Sequence, residues 1–269
     1  MKRKKLAVVG GGQMGRALVS GLLASKVLAA NEICLVEPSA AGQQWWREAH
    51  PEIENAELVD AVSASEAVLL AVKPNVIPSV TADSSVSYRD KLVVSIAAGI
   101  CLEPLCQWVG HRRVVRVMPN TPSLVRQGAS AFCCAADVTD DDRAWIQEVL
   151  QCVGLAIEVS ESQMDAVTGL SGSGPAYVCM MIEAMADGGV LAGLPRDLAM
   201  RLATQTVLGT AQMIAETKRH PGELKDAVAS PGGTTIAAIA VLEQNGLRGS
   251  LLQAVAASAQ RSQQLGRKE

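Results

Sequence analysis

Aromatic side chains are nearly missing: one Phe, two Tyr and four Trp make up 3% of 269 residues. Ala, Leu and Val fill the gap, which suits helices packed closely through small side chains. No cysteine pair has CxxC spacing. The seven cysteines (34, 101, 106, 133, 134, 152, 179) are odd in number and scattered. That excludes a secreted disulfide scaffold and a structural zinc site; several alternate with Val, Leu or Phe and read as small core residues. No metal site is expected, and the cytoplasm is the expected compartment. No apolar run reaches the roughly eighteen residues a membrane span needs. The basic start, Met1-Lys2-Arg3-Lys4-Lys5, leads into an apolar run that Gly10 cuts after about five residues, too short for a signal-peptide core. Charge of one sign is also lacking: a net charge of −3 gives no reason to expect binding to nucleic acid or an anionic membrane. A soluble chain remains, long enough for two domains of roughly 100–160 residues.

In the first half, short apolar runs alternate with helical spacing. Leu6-Ala7-Val8-Val9 reads as a buried parallel strand. Gly10-Gly11-Gly12-Gln13-Met14-Gly15 follows at once, and residues 16–25 carry helical spacing. Strand, G-x-G-x-x-G and helix in this order predict a dinucleotide-binding turn, with the diphosphate on the helix N-terminus. Ile33-Cys34-Leu35-Val36 is the second strand, and Glu37 ends it. An acid there bonds the adenosine ribose and repels a 2′-phosphate, which favours NADH over NADPH; the alternative is a solvated loop glutamate. Residues 68–72 and 92–96 are further strands, ending in Ala71-Val72-Lys73-Pro74 and Ala97-Ala98-Gly99. Small residues at such ends let a cofactor lie on the sheet, while Lys73 reads equally as a cofactor contact or a surface lysine. Residues 114–118 run into the rigid polar loop Pro119-Asn120-Thr121-Pro122. Strand 129–134, a helix capped at Thr139 and running to about 153, and strand 155–159 close a parallel or mostly parallel sheet with helices on both faces.

After Ser160 the β-branched runs stop and the chain becomes alanine-rich and helical. The expected division is therefore 1–160 for a dinucleotide-binding α/β domain and 161–269 for an all-α domain. Gly169-Leu170-Ser171-Gly172-Ser173-Gly174 interrupts the helices early, in a run so poor in side chains that a backbone or ligand can come close. A helix to about 191, a second from Pro195 to about 218, a short one over 223–229 and a last one over 251–265 follow. Such a domain buries a large face only by pairing with another copy, so self-association is expected. Ser230-Pro231-Gly232-Gly233-Thr234-Thr235 opens one more helix. Its bare amides and positive dipole end make a receptor for a carboxylate or phosphate. Thr234 and Thr235 add two hydroxyls there, although Thr234 is also an ordinary N-cap.

Taken together, the segments 10–15, Ala71-Val72-Lys73-Pro74, Arg116-Val117-Met118-Pro119-Asn120-Thr121-Pro122, 168–177, Ala186-Asp187-Gly188-Gly189 and 230–236 resemble Δ1-pyrroline-5-carboxylate reductase along nearly the whole chain. The resemblance implies an N-terminal Rossmann domain and a C-terminal helical domain that forms intertwined dimers, commonly assembled into decamers. It also implies NAD(P)H-dependent reduction of a cyclic imine, pyrroline-5-carboxylate, to proline. The family's substrate loop maps onto Ser230, Gly232, Gly233, Thr234 and Thr235, with the Thr235 hydroxyl near the imine nitrogen as the catalytic group. Its cofactor site maps onto Gly10, Gly12, Gln13, Met14, Gly15, Glu37, Ala71, Val72, Lys73, Pro74, Ala97 and Asn120. The chain departs from its relatives at Glu37, where serine or arginine is common. None of the three histidines (50, 111, 220) sits in a motif that marks a general acid. Two other readings fit a dinucleotide-binding fold. One is a 3-hydroxy acid dehydrogenase, which needs a catalytic lysine such as Lys218 or Lys225 in a motif this chain lacks. The other is a cofactor-binding sensor or scaffold without chemistry.

Overall fold

The computed structural model describes residues 5–83 and 86–266, so the basic start up to Lys4 lies outside the described residues. In chain order the elements are β1 (Leu6–Val9), α1 (Gln13–Ala24), β2 (Ile33–Val36), α2 (Ala40–Ala49), β3 (Glu54–Asn55), α3 (Leu58–Ser63), β4 (Ala67–Leu70) and α4 (Ile77–Thr81). Next come β5 (Leu92–Ser95), α5 (Leu102–Val109), β6 (Val114–Met118), β7 (Gly128–Cys134), α6 (Asp140–Gln151), β8 (Gly154–Glu158) and α7 (Met164–Val167). Five helices finish the chain: α8 (Gly174–Leu191), α9 (Arg196–Thr217), α10 (Pro221–Ala227), α11 (Thr234–Gln244) and α12 (Leu247–Gly266). By packing, residues 1–173 with 256–269 form one unit and residues 174–255 a second.

The strands of the first unit form one sheet in the order β3-β2-β1-β4-β5-β6-β7-β8. Its central strands β1, β4 and β5 are buried at every residue because both faces are covered there. Leu6 and Val8 of β1 join Leu18, Leu22 and Ile146 on one face, while Ala7 and Val9 join Val62, Ile77 and Leu105 on the other. The mostly parallel expectation holds, with one reversal: β6 and β7 pair antiparallel. Their link holds only a 3₁₀ turn, Thr121–Val125. A parallel return would need a crossover of a dozen residues or more. After β7 the link through α6 is long enough, and β8 returns parallel. Thr139 caps α6 as expected, its hydroxyl accepting from the Asp142 amide at 3.2 Å. Asp142 is fully buried and takes a two-pronged ion pair from Arg113, at 2.8 Å to each oxygen. The expected strands 68–72 and 92–96 end one or two residues early, at Leu70 and Ser95.

In the second unit, α8 and α9 approach through Ala186, Ala199 and Ala203, all buried. A Cβ on Gly189 would lie 3.1 Å from that of Ala199, so the contact depends on small residues, as the composition suggested. The expected helix 223–229 starts two residues earlier. Pro221 sits in its first turn, where its missing N–H costs nothing, and His220 Nδ1 accepts from the Gly222 amide at 3.1 Å. The expected helix 251–265 likewise begins earlier, at Leu247. The interruption at 169–174 is not a loop. Thr168–Gly172 is a single π-helical turn, with the Ser173 amide donating to Thr168 O at 2.9 Å. Such turns occur often at functional sites.

Candidate active site

Strand order reverses at β1: β2 and β3 extend the sheet one way and β4 to β6 the other. The carboxyl ends of the strands beside such a switch point are where open α/β sheets bind ligands. The exits of β1, β2, β4, β5 and β6 bring the turn 10–15, Glu37, residues 71–74, Ala97 and Asn120 to this edge of the first unit.

Three glycines of the turn have different reasons to lack a side chain. Gly10 has φ +105°, and a Cβ there would lie 2.6 Å from the Ala71 carbonyl oxygen and 2.8 Å from Val72 Cγ1. Only glycine lets β1 and β4 exit so close together. A Cβ on Gly15 would lie 2.5 Å from Gly10 O, so α1 rests directly on the turn. Gly12 differs: a Cβ there meets nothing within 4 Å. It is the N-cap of α1, with ordinary φ −71° and ψ −175°, no side chain caps the helix, and its first turn holds no acid. Gly12 thus stands at the start of a twelve-residue helix with open space beside it, and no side chain caps the first amides.

Glu37 is engaged rather than solvated. Its Oε2 accepts from the Gly11 amide at 2.9 Å, and Oε1 accepts from the Ser39 amide and hydroxyl at 2.8 and 2.7 Å. Burial is the largest single influence on its acidity and pushes it up. The Ser39 and Gly11 bonds and the nearby Arg16 charge outweigh burial and hold the carboxyl below its ordinary range. Lys73 is exposed and caps a 3₁₀ turn, Pro74–Val76. Ala97 is buried, with its amide 3.3 Å from Ser95 Oγ. Asn120 is buried with both ends of its amide in use: Nδ2 donates to Ser171 O at 3.0 Å and Oδ1 accepts from the Ala129 amide at 2.8 Å. It thereby ties the end of β6 to the π turn.

Sequence reasoning missed the underside of the turn. Trp46 Nε1 and Arg16 Nε both donate to Gly11 O, at 3.1 and 3.0 Å. The Arg16 guanidinium also lies 3.9 Å above the Trp45 ring. The signal was there to find: half of the four tryptophans of an aromatic-poor chain stand in one dipeptide.

The remaining candidates belong to the second unit. The Gly233 amide donates to Ser230 O at 3.0 Å, closing the turn. Gly233, not Thr234, is the N-cap of α11, and no side chain caps it. Thr234 is the exposed first helical residue and Thr235, the next, is half-buried. The three histidines have structural partners. His50 meets Ser20 Oγ at 3.1 Å, His111 meets Tyr88 O at 2.8 Å, and His220 caps α10. All seven cysteines are free thiols, and burial pushes Cys133 up to about 12. Among the described residues no helix is long and apolar enough to cross a membrane.

Residues 161–265 match a family model described as pyrroline-5-carboxylate reductase dimerisation, and residues 5–99 match one described as NADP oxidoreductase, coenzyme F420-dependent. Pyrroline-5-carboxylate reductase from Synechocystis sp. is 46% identical over 264 residues, covering 98% of this chain and 99% of that one. A solved pyrroline-5-carboxylate reductase from Coxiella burnetii has a TM-score of 0.90 at 36% identity, covering 98% of this chain and 99% of its own. The pyrroline carboxylate reductase of Plasmodium falciparum, solved with NADP bound, has a TM-score of 0.87 at 30% identity over 99% of both chains.

Proposed function

The chain belongs to the pyrroline-5-carboxylate reductase family, NAD(P)H-dependent oxidoreductases that reduce a cyclic imine, and from that premise we propose how its own residues divide the work. The first amides of α1, at Gly12, Gln13 and Met14, hold the cofactor diphosphate, while Gly10 and Gly15 bring strand exits and helix close beneath it. The observation that carries this reading is the open space above Gly12, in a turn whose other two motif glycines are filled to contact. Ala71, Val72, Pro74 and Ala97 supply the low floor along which the cofactor extends, and Lys73 adds a cation at its edge. Asn120 serves as a strut that fixes the π turn rather than as a free hydrogen-bonding group. Glu37, ionised and with acceptor capacity left on Oε2, takes a ribose hydroxyl and disfavours a 2′-phosphate by charge, so NADH is preferred over NADPH.

When bound, the reduced nicotinamide supplies the hydride that the C=N carbon receives. The protein's task at the substrate is chiefly to hold and orient it. Gly233, Thr234 and Thr235 offer the bare amides of α11 to the substrate carboxylate, on a turn shaped by Ser230 and Gly232. The Thr235 hydroxyl supports the ring nitrogen as that atom gains electron density.

The dimerisation match supports self-association, and the second unit gives the physical reason: Leu191 is 91% exposed and Met180 69%, with Leu202, Leu208 and Val241 also open. We read the assembly as an intertwined dimer built into a decamer, in the cytoplasm, with the working division at 160/161. Thr235→Ala tests the substrate site. With pyrroline-5-carboxylate and NADH followed by absorbance, turnover falls about 10²-fold while NADH affinity stays within about twofold. Unchanged turnover removes Thr235 from the mechanism.

A further inference from the structure

Gly10-Gly11-Gly12 is the most flexible tripeptide a turn can be made of, yet an anion site needs its amides to point one way. Gly11 is where the structure fixes them. Its N–H donates to Glu37, at the end of β2, and its carbonyl accepts from Trp46, on α2, and Arg16, on α1. Three elements thus hold one residue. The anchors are themselves held. Trp46 is 2% exposed and meets Trp45 edge to face at 5.1 Å, and Arg16 lies on the face of that second ring. Gly42 leaves room for the Glu37 carboxyl, since a Cβ there would come within 2.6 Å of its Cδ.

The consequence follows from peptide geometry. The Gly11 carbonyl and the Gly12 N–H belong to one planar trans unit, so they point in opposite directions. Drawing the carbonyl down onto Trp46 and Arg16 sends the Gly12 N–H up, to the open side where the diphosphate is proposed to lie. A flipped peptide would present the carbonyl oxygen to an anion instead. We infer that Trp46, with Arg16, is a positioning residue for cofactor binding, acting through the orientation of the Gly11–Gly12 peptide and equally for both dinucleotides. This rests on the assignment of the turn to the diphosphate.

Trp46→Phe keeps a buried ring and removes the donor. The dissociation constants of NADH and NADPH, from fluorescence titration, rise by the same factor, about three- to tenfold for one hydrogen bond. The kcat at saturating cofactor and the KM for pyrroline-5-carboxylate stay as in the parent. Arg16→Met, at a half-buried position, also raises both dissociation constants and serves if the Phe variant does not fold. The double variant, with no donor left on the carbonyl, loses more than the product of the two. A fall in kcat at unchanged cofactor affinity, or a loss confined to one dinucleotide, overturns the proposal. Gly12→Ala separates it from its premise. If that variant weakens cofactor binding and Trp46→Phe does not, positioning fails and the site stands; if neither does, the assignment of the turn itself falls.

Discussion

Adding one methyl group at Gly12 and at Gly15 distinguishes the part of the turn that faces a ligand from the part that faces the fold. At Gly12 the new Cβ meets no heavy atom within 4 Å, and φ −71° with ψ −175° is ordinary for alanine. The folded state gains no clash, while the unfolded chain loses freedom. Gly12→Ala should therefore change the stability of the cofactor-free protein by less than about 1 kcal/mol, since the freedom lost by the unfolded chain offsets the poorer capping by alanine. At Gly15 the new Cβ lies 2.5 Å from the Gly10 carbonyl oxygen, a backbone atom that cannot rotate away. Overpacking of this kind costs about 1–3 kcal/mol, or roughly 2–12 °C in Tm for a chain this size. Binding shows the opposite order. A methyl on the open face holds an anion away from the first amides of α1, and each charge-assisted hydrogen bond lost is worth about 1.5–3 kcal/mol. One such bond is at least a tenfold loss of NADH affinity. Thermal melts without cofactor and fluorescence titration with NADH measure the two effects separately. If Gly12→Ala binds NADH like the parent, or loses as much stability as Gly15→Ala, the division of the turn into an open and a closed face is wrong.

Glu37→Ser removes the negative charge beside the proposed ribose and raises the NADPH-to-NADH ratio of kcat/KM about tenfold, measured at fixed ionic strength; an unchanged ratio refutes Glu37 as the discriminating residue. The same carboxylate has a folded pKa below its ordinary value of 4.5, so its contribution to stability is full above that value and fades as pH falls through the lower, folded one. The stability gap between the parent and Glu37→Gln, taken from urea midpoints, should accordingly narrow in acid and stay constant from pH 6 upwards; a gap that widens in acid reverses the sign assigned here. Asp142→Asn leaves the part-exposed Arg113 facing a neutral group and costs about 1.5–3 kcal/mol in urea unfolding; a loss below about 0.5 kcal/mol would mean that the pair adds little beyond its shape.

Much of the fold was legible because it is locally encoded. Buried strands are written as unbroken apolar runs, and β1 and β2 were read to the residue. Thr139 was identifiable as a cap because capping needs only a hydroxyl and the three residues that follow. The spacing 10, 12, 15 marked the turn for the same reason. The antiparallel β7 was not legible: its sequence is that of any buried strand, and its direction is set by the length of the link before it. Residues 219–222 read only as a gap between two helices, whereas the His220 imidazole makes that gap the cap of α10.

By itself, then, the sequence determined the order of strand and helix, the glycine turn and the bare N-terminus of α11, since each depends on neighbours within a few residues. Tertiary structure alone decided which groups those elements present to one another. Trp46 reaches the carbonyl of a residue 35 positions earlier, and Asn120 reaches one 51 positions later. Periodicity carries no record of such distances. They follow from which strand exits the sheet sets side by side, and that choice fixes a free-standing Gly11 peptide in a single orientation.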